Sequence, residues 1–246
     1  MESNILDLGA YVVPPADHAL YEVCAAILGW DCRREMTVER PSLPGISSEL
    51  LERWIGPAAQ YGPHGTIGGW MKIPASERGR ISDNLAALCQ SFEPIRLERG
   101  RFAASGDYWH PANARVPILV AVFDDPLGAL RSLHAETLVY FNRLATGSYF
   151  QDRADLSRYA ARERWRQKRY HEPGVLEDFE FHVSFATGLP GIDAVDRLRR
   201  AIVDATGLFE SRDHTTWTID ELTLFERRPD GFWRIAERFP FGVPST

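Results

Sequence analysis

The sequence predicts an α+β protein built as two duplicated lobes. Two observations carry that reading. Apolar runs of strand period alternate with helical patterns along the whole chain, with no long linker and no low-complexity segment. A strand carrying a histidine stands in each half, at 64–73 and 178–187, and each is followed by a helix and then by further strands. The 246 residues suffice for one large domain or two small lobes with real cores. The expected organisation is a single bilobal domain, 1–246, with lobe elements near 1–150 and 171–246 joined by a basic helix at 152–170.

Each element has a local reason. Residues 9–13, GAYVV, form a short strand that Pro14 and Pro15 end. Asp17 then caps a helix running to about Gly29. PSLPG at 41–45 is loop, and Ser47 or Ser48 opens a short helix at 47–54. The stretch 75–92 reads as a helix with Ile81, Leu85, Leu88 and Phe92 on one face. VPILVAVF at 116–123 is a strand buried on both faces, followed by a helix at 126–145. Seven basic residues, Arg153 to Arg169, mark the helix at 152–170. The second half continues with a helix near 191–206 and strands at 215–226 and 231–239. Pro229-Asp230-Gly231 forms the turn between the last two.

Composition narrows the function. Hydrophobic residues are 44% and charged residues 25%, as in a globular protein that packs a core. No apolar run reaches membrane-spanning length, and the N-terminus lacks a secretion signal, so a cytoplasmic protein is expected. Three cysteines without CxxC spacing indicate neither a disulfide framework nor a zinc knuckle. The formal charge of −6 argues against binding long nucleic acid. It leaves room for a small phosphorylated substrate, because a local pocket can differ in sign from the whole molecule. GxGxxG, GxxxxGK(S/T), GxSxG and HExxH patterns are absent; no cofactor and no metal are expected.

The two histidine strands carry the chemistry. Side chains alternate across a strand, so residues i and i+2 share a face. In the second strand Phe179, Phe181, Val183 and Phe185 point to a core, and Glu180, His182 and Ser184 point the other way. In the first, His64, Thr66, Gly68, Trp70 and Lys72 are expected on one face. Each strand thus sets a histidine and a hydroxyl roughly 7 Å apart along one face. Phosphodiester cleavage needs a base for the nucleophile and an acid for the leaving oxygen, and histidine can be either near neutral pH. Hydroxyls can donate to the non-bridging oxygens, where charge builds in the transition state.

At these residues the chain resembles the two-histidine (2H) phosphoesterase superfamily, whose members carry two H-x-(Ser/Thr)-x motifs. More narrowly, YGPHGTI at 61–67, VLEDFEFHVSFATG at 175–188 and LTLFERRPDGFWRIAERFPFG at 222–242 resemble a branch of bacterial proteins associated with phosphonate-degradation gene clusters. The resemblance covers nearly the full chain. It implies a bilobal 2H phosphoesterase-like fold, each lobe an antiparallel sheet with helices outside, with the active site in the cleft between the lobes. It also implies that His64 and His182 are acid and base, and that Thr66 and Ser184 hold phosphate. Activities in the superfamily include cyclic phosphodiester hydrolysis and RNA 2′–5′ ligation or cleavage, and the branch implies a small sugar cyclic phosphate.

The chain also departs from that branch. Gly68-Gly69-Trp70-Met71 stand where the branch has a lysine-containing stretch, which removes a cation; Lys72, on the same face, is the candidate substitute. Glu172 and Gly174 replace tyrosines before the second motif. The paired glycines could open room for a bulkier substrate. Tyr61 is either a substrate contact or packing at strand entry. The basic helix is either a solvated face or, at Arg169, a phosphate contact. YWHP at 108–111 reads as a loop. The leading expectation is a metal-independent cyclic phosphodiesterase acting on a small cyclic phosphate or nucleotide-like phosphodiester. The alternatives are a non-catalytic phosphate or RNA-end-binding module, and a related acid–base enzyme of specialised metabolism.

Overall fold

Nine strands join in one antiparallel sheet among the residues described by the computed structural model, 4–104, 117–148 and 159–242. In chain order the strands are β1 (Ile5–Val12), β2 (Trp30–Asp31), β3 (Met36–Thr37), β4 (Gly65–Pro74), β5 (Ile95–Ala104), β6 (Leu119–Asp124), β7 (Gly147–Ser148), β8 (Val183–Ala186), β9 (Trp217–Ile219), β10 (Glu221–Arg227) and β11 (Trp233–Pro240). The helices are α1 (Ala19–Leu28), α2 (Ser48–Ile55), α3 (Arg78–Cys89), α4 (Ala129–Tyr140), α5 (Ala161–Tyr170) and α6 (Ile192–Thr206). The sheet runs β11-β10-β1-β4-β8-β6-β5-β9, with β7 paired to β4; β2 and β3 form a separate ribbon. The expected α+β class is what the structure has.

At the β4–β8 junction the order splits into two groups of four, with β7 the ninth strand beside β4. Neither group is a continuous stretch of chain: β10 and β11 complete the group of β1 and β4, while β5 and β6 lie with β8 and β9. The lobe elements expected at 1–150 and 171–246 therefore do not coincide with these groups. β4 and β8 pair at Gly65–Val183, where the two groups join. Apolar side chains from both groups (Leu8, Ile67, Met71, Val183, Phe185 and Leu119 among them) enter one core with α1, α2, α3, α4 and α6.

Local chemistry explains most boundaries. α1 is capped by His18, whose Nδ1 accepts from the Leu20 N–H at 3.1 Å, and not by Asp17. The same ring reaches the Thr216 carbonyl at 2.7 Å, so this cap also ties the N-terminal segment to the entry of β9. Ser47 caps α2 through the Leu50 N–H at 3.3 Å. α3 buries Ile81, Leu85 and Leu88 as its spacing predicts. Gly231 sits at φ 91° in the turn joining β10 to β11, where an L side chain would be strained. β5 was not expected: its alternating charges disguise a strand whose Ile95 and Leu97 are buried. YWHP and residues 152–158 of the expected basic helix lie outside the described residues. The remaining part of that helix is α5. Its Arg162 bonds Asp178 at 2.9 and 3.0 Å, and its buried Arg166 bonds Glu177 and Asp178. These pairs hold the segment that leads into the second histidine. No helix among the described residues is long and apolar enough to cross a membrane.

Candidate active site

Each histidine stands one residue before its strand, His64 before β4 and His182 before β8. Each ring is fixed in the same way. His64 Nδ1 lies 2.9 Å from the Gly62 carbonyl oxygen, and His182 Nδ1 lies 2.9 Å from the Glu180 carbonyl oxygen. A carbonyl only accepts, so Nδ1 carries the proton in both rings, and each neutral ring keeps a lone pair on Nε2. The backbone thus sets one tautomer twice, two residues upstream each time.

The pairing of Gly65 with Val183 brings the motifs together. One antiparallel step either way sets His64 across from Ser184, and Thr66 across from His182. Directly opposed Cβ atoms are roughly 5 Å apart and diagonal neighbours roughly 7–8 Å, so the histidines stand diagonally with the hydroxyls filling the other corners. All four residues keep part of their surface open, while Gly65, Val183 and Phe185 between and beside them are buried. Burial pushes the His64 imidazole down to about 4; the Gly62 carbonyl opposes this, and a charge on His182 pushes it further down. Burial also lowers His182, against the pull of the Glu180 carbonyl. Both rings therefore favour the neutral form, and a charge on His182 acts on His64.

Aromatic rings wall the His64 side. The Tyr11 ring lies 4.6 Å and the Tyr61 ring 5.0 Å from the imidazole, centroid to centroid. Tyr61 in turn stacks on Trp233 at 5.0 Å, and Trp70 meets Trp233 edge-on at 5.2 Å. Arg227 lies over Trp70 at 5.0 Å. Tyr61 thus takes part in this wall, beside the histidine. Tyr11, Trp70 and Trp233 were not singled out as site residues in the sequence. Tyr11 has a readable signal, because it sits on the strand that pairs with β4, across from Thr66.

Two bulges in β4 correct the expected face. Its register against β1 shifts between Leu8 and Ala10 and again between Ala10 and Tyr11. Simple alternation puts Gly68 beside Thr66, but a Cβ on Gly68 would meet Thr137 at 2.9 Å and Phe141 at 3.0 Å, on the α4 side of the sheet. Gly69, with Trp70, is turned to the face of Thr66 instead. The room expected at the two glycines is filled on both sides, because a Cβ on Gly69 would stand 2.8 Å from a Glu172 carboxylate oxygen. Lys72 pairs with Asp7, four residues along β1 from the Tyr11 that pairs with Thr66, roughly 13 Å at about 3.3 Å per residue, so the structure does not set it beside the histidines. Arg169 is exposed on α5, its guanidinium 5.7 Å from the Tyr170 ring.

The lead-in to His182 is clamped from α4. Arg131 donates to the carbonyls of Leu176 and Glu177 at 2.9 and 2.8 Å. His134 is buried, with Nδ1 2.7 Å from the Ile67 carbonyl and Nε2 accepting from the Leu176 N–H at 3.1 Å, and its ring stacks on Phe179 at 4.0 Å. One structural histidine therefore ties the β4 strand of His64 to the segment that delivers His182.

Fold and site together define an α+β protein whose two sheet halves join where the two histidines stand. No family model and no curated protein matches the chain. Among solved structures it is similar to TT0787 of Thermus thermophilus, at 14% identity over 97% of this chain and 100% of that one, with a TM-score of 0.47. It is similar to E. coli LigT complexed with NADP+, at 14% identity over 98% of this chain and 99% of that one, TM-score 0.44. It is also similar to Kluyveromyces marxianus Usb1, at 15% identity over 97% and 99% of the two chains, TM-score 0.42.

Proposed function

We propose that the chain is a two-histidine phosphoesterase that opens a small cyclic phosphate or a nucleotide-like phosphodiester. The observation that carries this is the matched pair of Nδ1–carbonyl bonds, 2.9 Å at each histidine, which sets the same tautomer on both rings where β4 and β8 join. The resemblance of the three motif stretches to the branch associated with phosphonate-degradation gene clusters supports the cyclic-phosphate class.

In this reading the phosphate sits between the rings, and Thr66 and Ser184 donate to its non-bridging oxygens. His64, held neutral in the free protein, takes a proton from water on Nε2 as the water oxygen attacks phosphorus. The bond from phosphorus to the leaving oxygen breaks, and His182, protonated on Nε2, gives its proton to that oxygen. The product is a phosphomonoester with a free hydroxyl; a proton returning from His64 to His182 through solvent restores the start. An anionic substrate favours the charged form of a nearby imidazole, so binding itself loads the acid. General acid and base each contribute about 10²–10⁴-fold.

A crystal soaked with phosphate or sulfate tests the placement. An anion within hydrogen-bond reach of both Nε2 atoms and both hydroxyls is expected. An anion bound elsewhere, with the space between the histidines filled only by water, overturns it.

A further inference from the structure

Glu172 and Gly69 are in contact although the sequence separates them widely. The bulge that turns Gly69 onto the face of Thr66 leaves a place with no side chain, and the Glu172 carboxylate occupies it. The Gly69 N–H bonds that carboxylate, and a Cβ at 69 would stand 2.8 Å from its oxygen, so the glycine and the glutamate form one device. Among the described residues no Lys, Arg or His forms an ion pair with Glu172, yet it keeps part of its surface open. It lies near enough to Tyr11 for its charge to act on the phenol, and the Tyr11 ring touches His64. Gly65 pairs with Val12 and Gly68 with Ala10, so Gly69 stands about three strand steps, roughly 10 Å, from Gly65 at the centre of the motif. Trp70 follows it directly, on the wall that Tyr61 and Trp233 continue toward His64.

A carboxylate with no cationic partner among the described residues, beside flat aromatic rings and at that distance from a phosphate seat, has a chemical meaning. The span is that of a nucleoside between its phosphate and the edge of its base. Aromatic side chains stack on any base, so they grip without choosing. A carboxylate accepts only, and two oxygens side by side match two neighbouring N–H donors on one planar edge.

We propose that Glu172 is a specificity-determining residue, which selects a substrate ending in a guanine-type base by accepting from its adjacent ring N–H and amino group. This rests on the phosphoesterase reading for the phosphate seat, and it names the other end of the substrate.

Binding separates the two claims, because it does not require turnover. Calorimetry with guanosine and uridine 3′-monophosphates on the wild-type chain should show the guanine ligand bound about ten- to a hundredfold more tightly, as hydrogen bonds to a charged acceptor allow. Glu172→Gln should shrink that ratio to a few-fold, with thermal melting reporting that the variant is folded. Turnover of the four nucleoside 2′,3′-cyclic phosphates should show the same order. Equal affinities in the wild type, or an unchanged ratio in the variant, would overturn the guanine assignment whatever the activity. A guanine preference without turnover of any cyclic phosphate would leave Glu172 in its role and sink the phosphoesterase reading instead.

Discussion

Gly65 lies beneath the ring of Phe181: a Cβ at residue 65 would stand 2.3 Å from two of the ring carbons. The middle residue of the first motif is therefore packed against the residue that precedes the second histidine. Gly65→Ala forces that ring aside. Overpacking of this kind destabilises by about 1–3 kcal/mol. A urea titration should show the loss, and turnover should fall further than stability alone explains, since His182 moves with Phe181. Unchanged stability and unchanged turnover would mean that the contact does not hold the motifs in register.

The imidazoles give a pH signature. His64 and His134 both lie at about 4, below the ordinary value of 6.5, chiefly through burial. In that window the unfolded chain binds protons that the folded chain refuses, so their contribution to stability is full above about 6.5 and is lost as pH falls toward 4. Nitrogen-15 NMR at pH 5 should find both rings neutral, with the proton on Nδ1. Added phosphate should raise the titration of His64 and leave that of His134 in place. A His64 that is already cationic at pH 6 without ligand would contradict this environment.

Glu172 titrates in the opposite sense. Burial lifts its carboxyl to about 7, against the bond from the Gly69 N–H. A raised folded value means stability that is full below the unfolded value of about 4.5 and lost as pH rises through 7. Glu172→Gln removes the half-buried charge. Its Tm should exceed that of the wild type at pH 8, by roughly 2–4 °C per kcal/mol relieved, and the difference should vanish near pH 5. A variant that is less stable at pH 8 would show that the carboxylate has a cationic partner there.

His134 acts through position. Replacing it with Ala strands the Ile67 carbonyl and the Leu176 N–H and removes the stack on Phe179. Each buried group left without a partner costs about 1–3 kcal/mol. The variant should lose several degrees of Tm. Its turnover should fall while the pH profile set by His64 and His182 keeps its shape, which distinguishes a clamp from a catalyst.

Much of this was legible in the sequence. The second motif was readable residue by residue, because Phe179, Phe181, Val183 and Phe185 alternate cleanly with Glu180, His182 and Ser184, and their burial follows that period. The first motif was readable only as far as Ile67. Beyond it two bulges break the period, and nothing in GTIGGWMK announces them, since a bulge is defined against the partner strand. The filled space at Gly68 and Gly69 was hidden for a related reason: its occupants, Thr137, Phe141 and Glu172, come from distant parts of the chain. β5 was masked by Arg96, Glu98, Arg99 and Arg101, which decorate a strand whose inner residues are few. The interleaving of strands between the two sheet groups follows from long-range pairing that local propensity does not encode.

The claim that two histidines act on one phosphodiester is tested most directly by turnover of a panel of nucleoside and sugar cyclic phosphates by the wild type, His64→Ala and His182→Ala. The wild type should open at least one of them, and each single variant should lose about 10²–10⁴-fold in kcat while still melting cooperatively. Full activity in both variants would contradict the account.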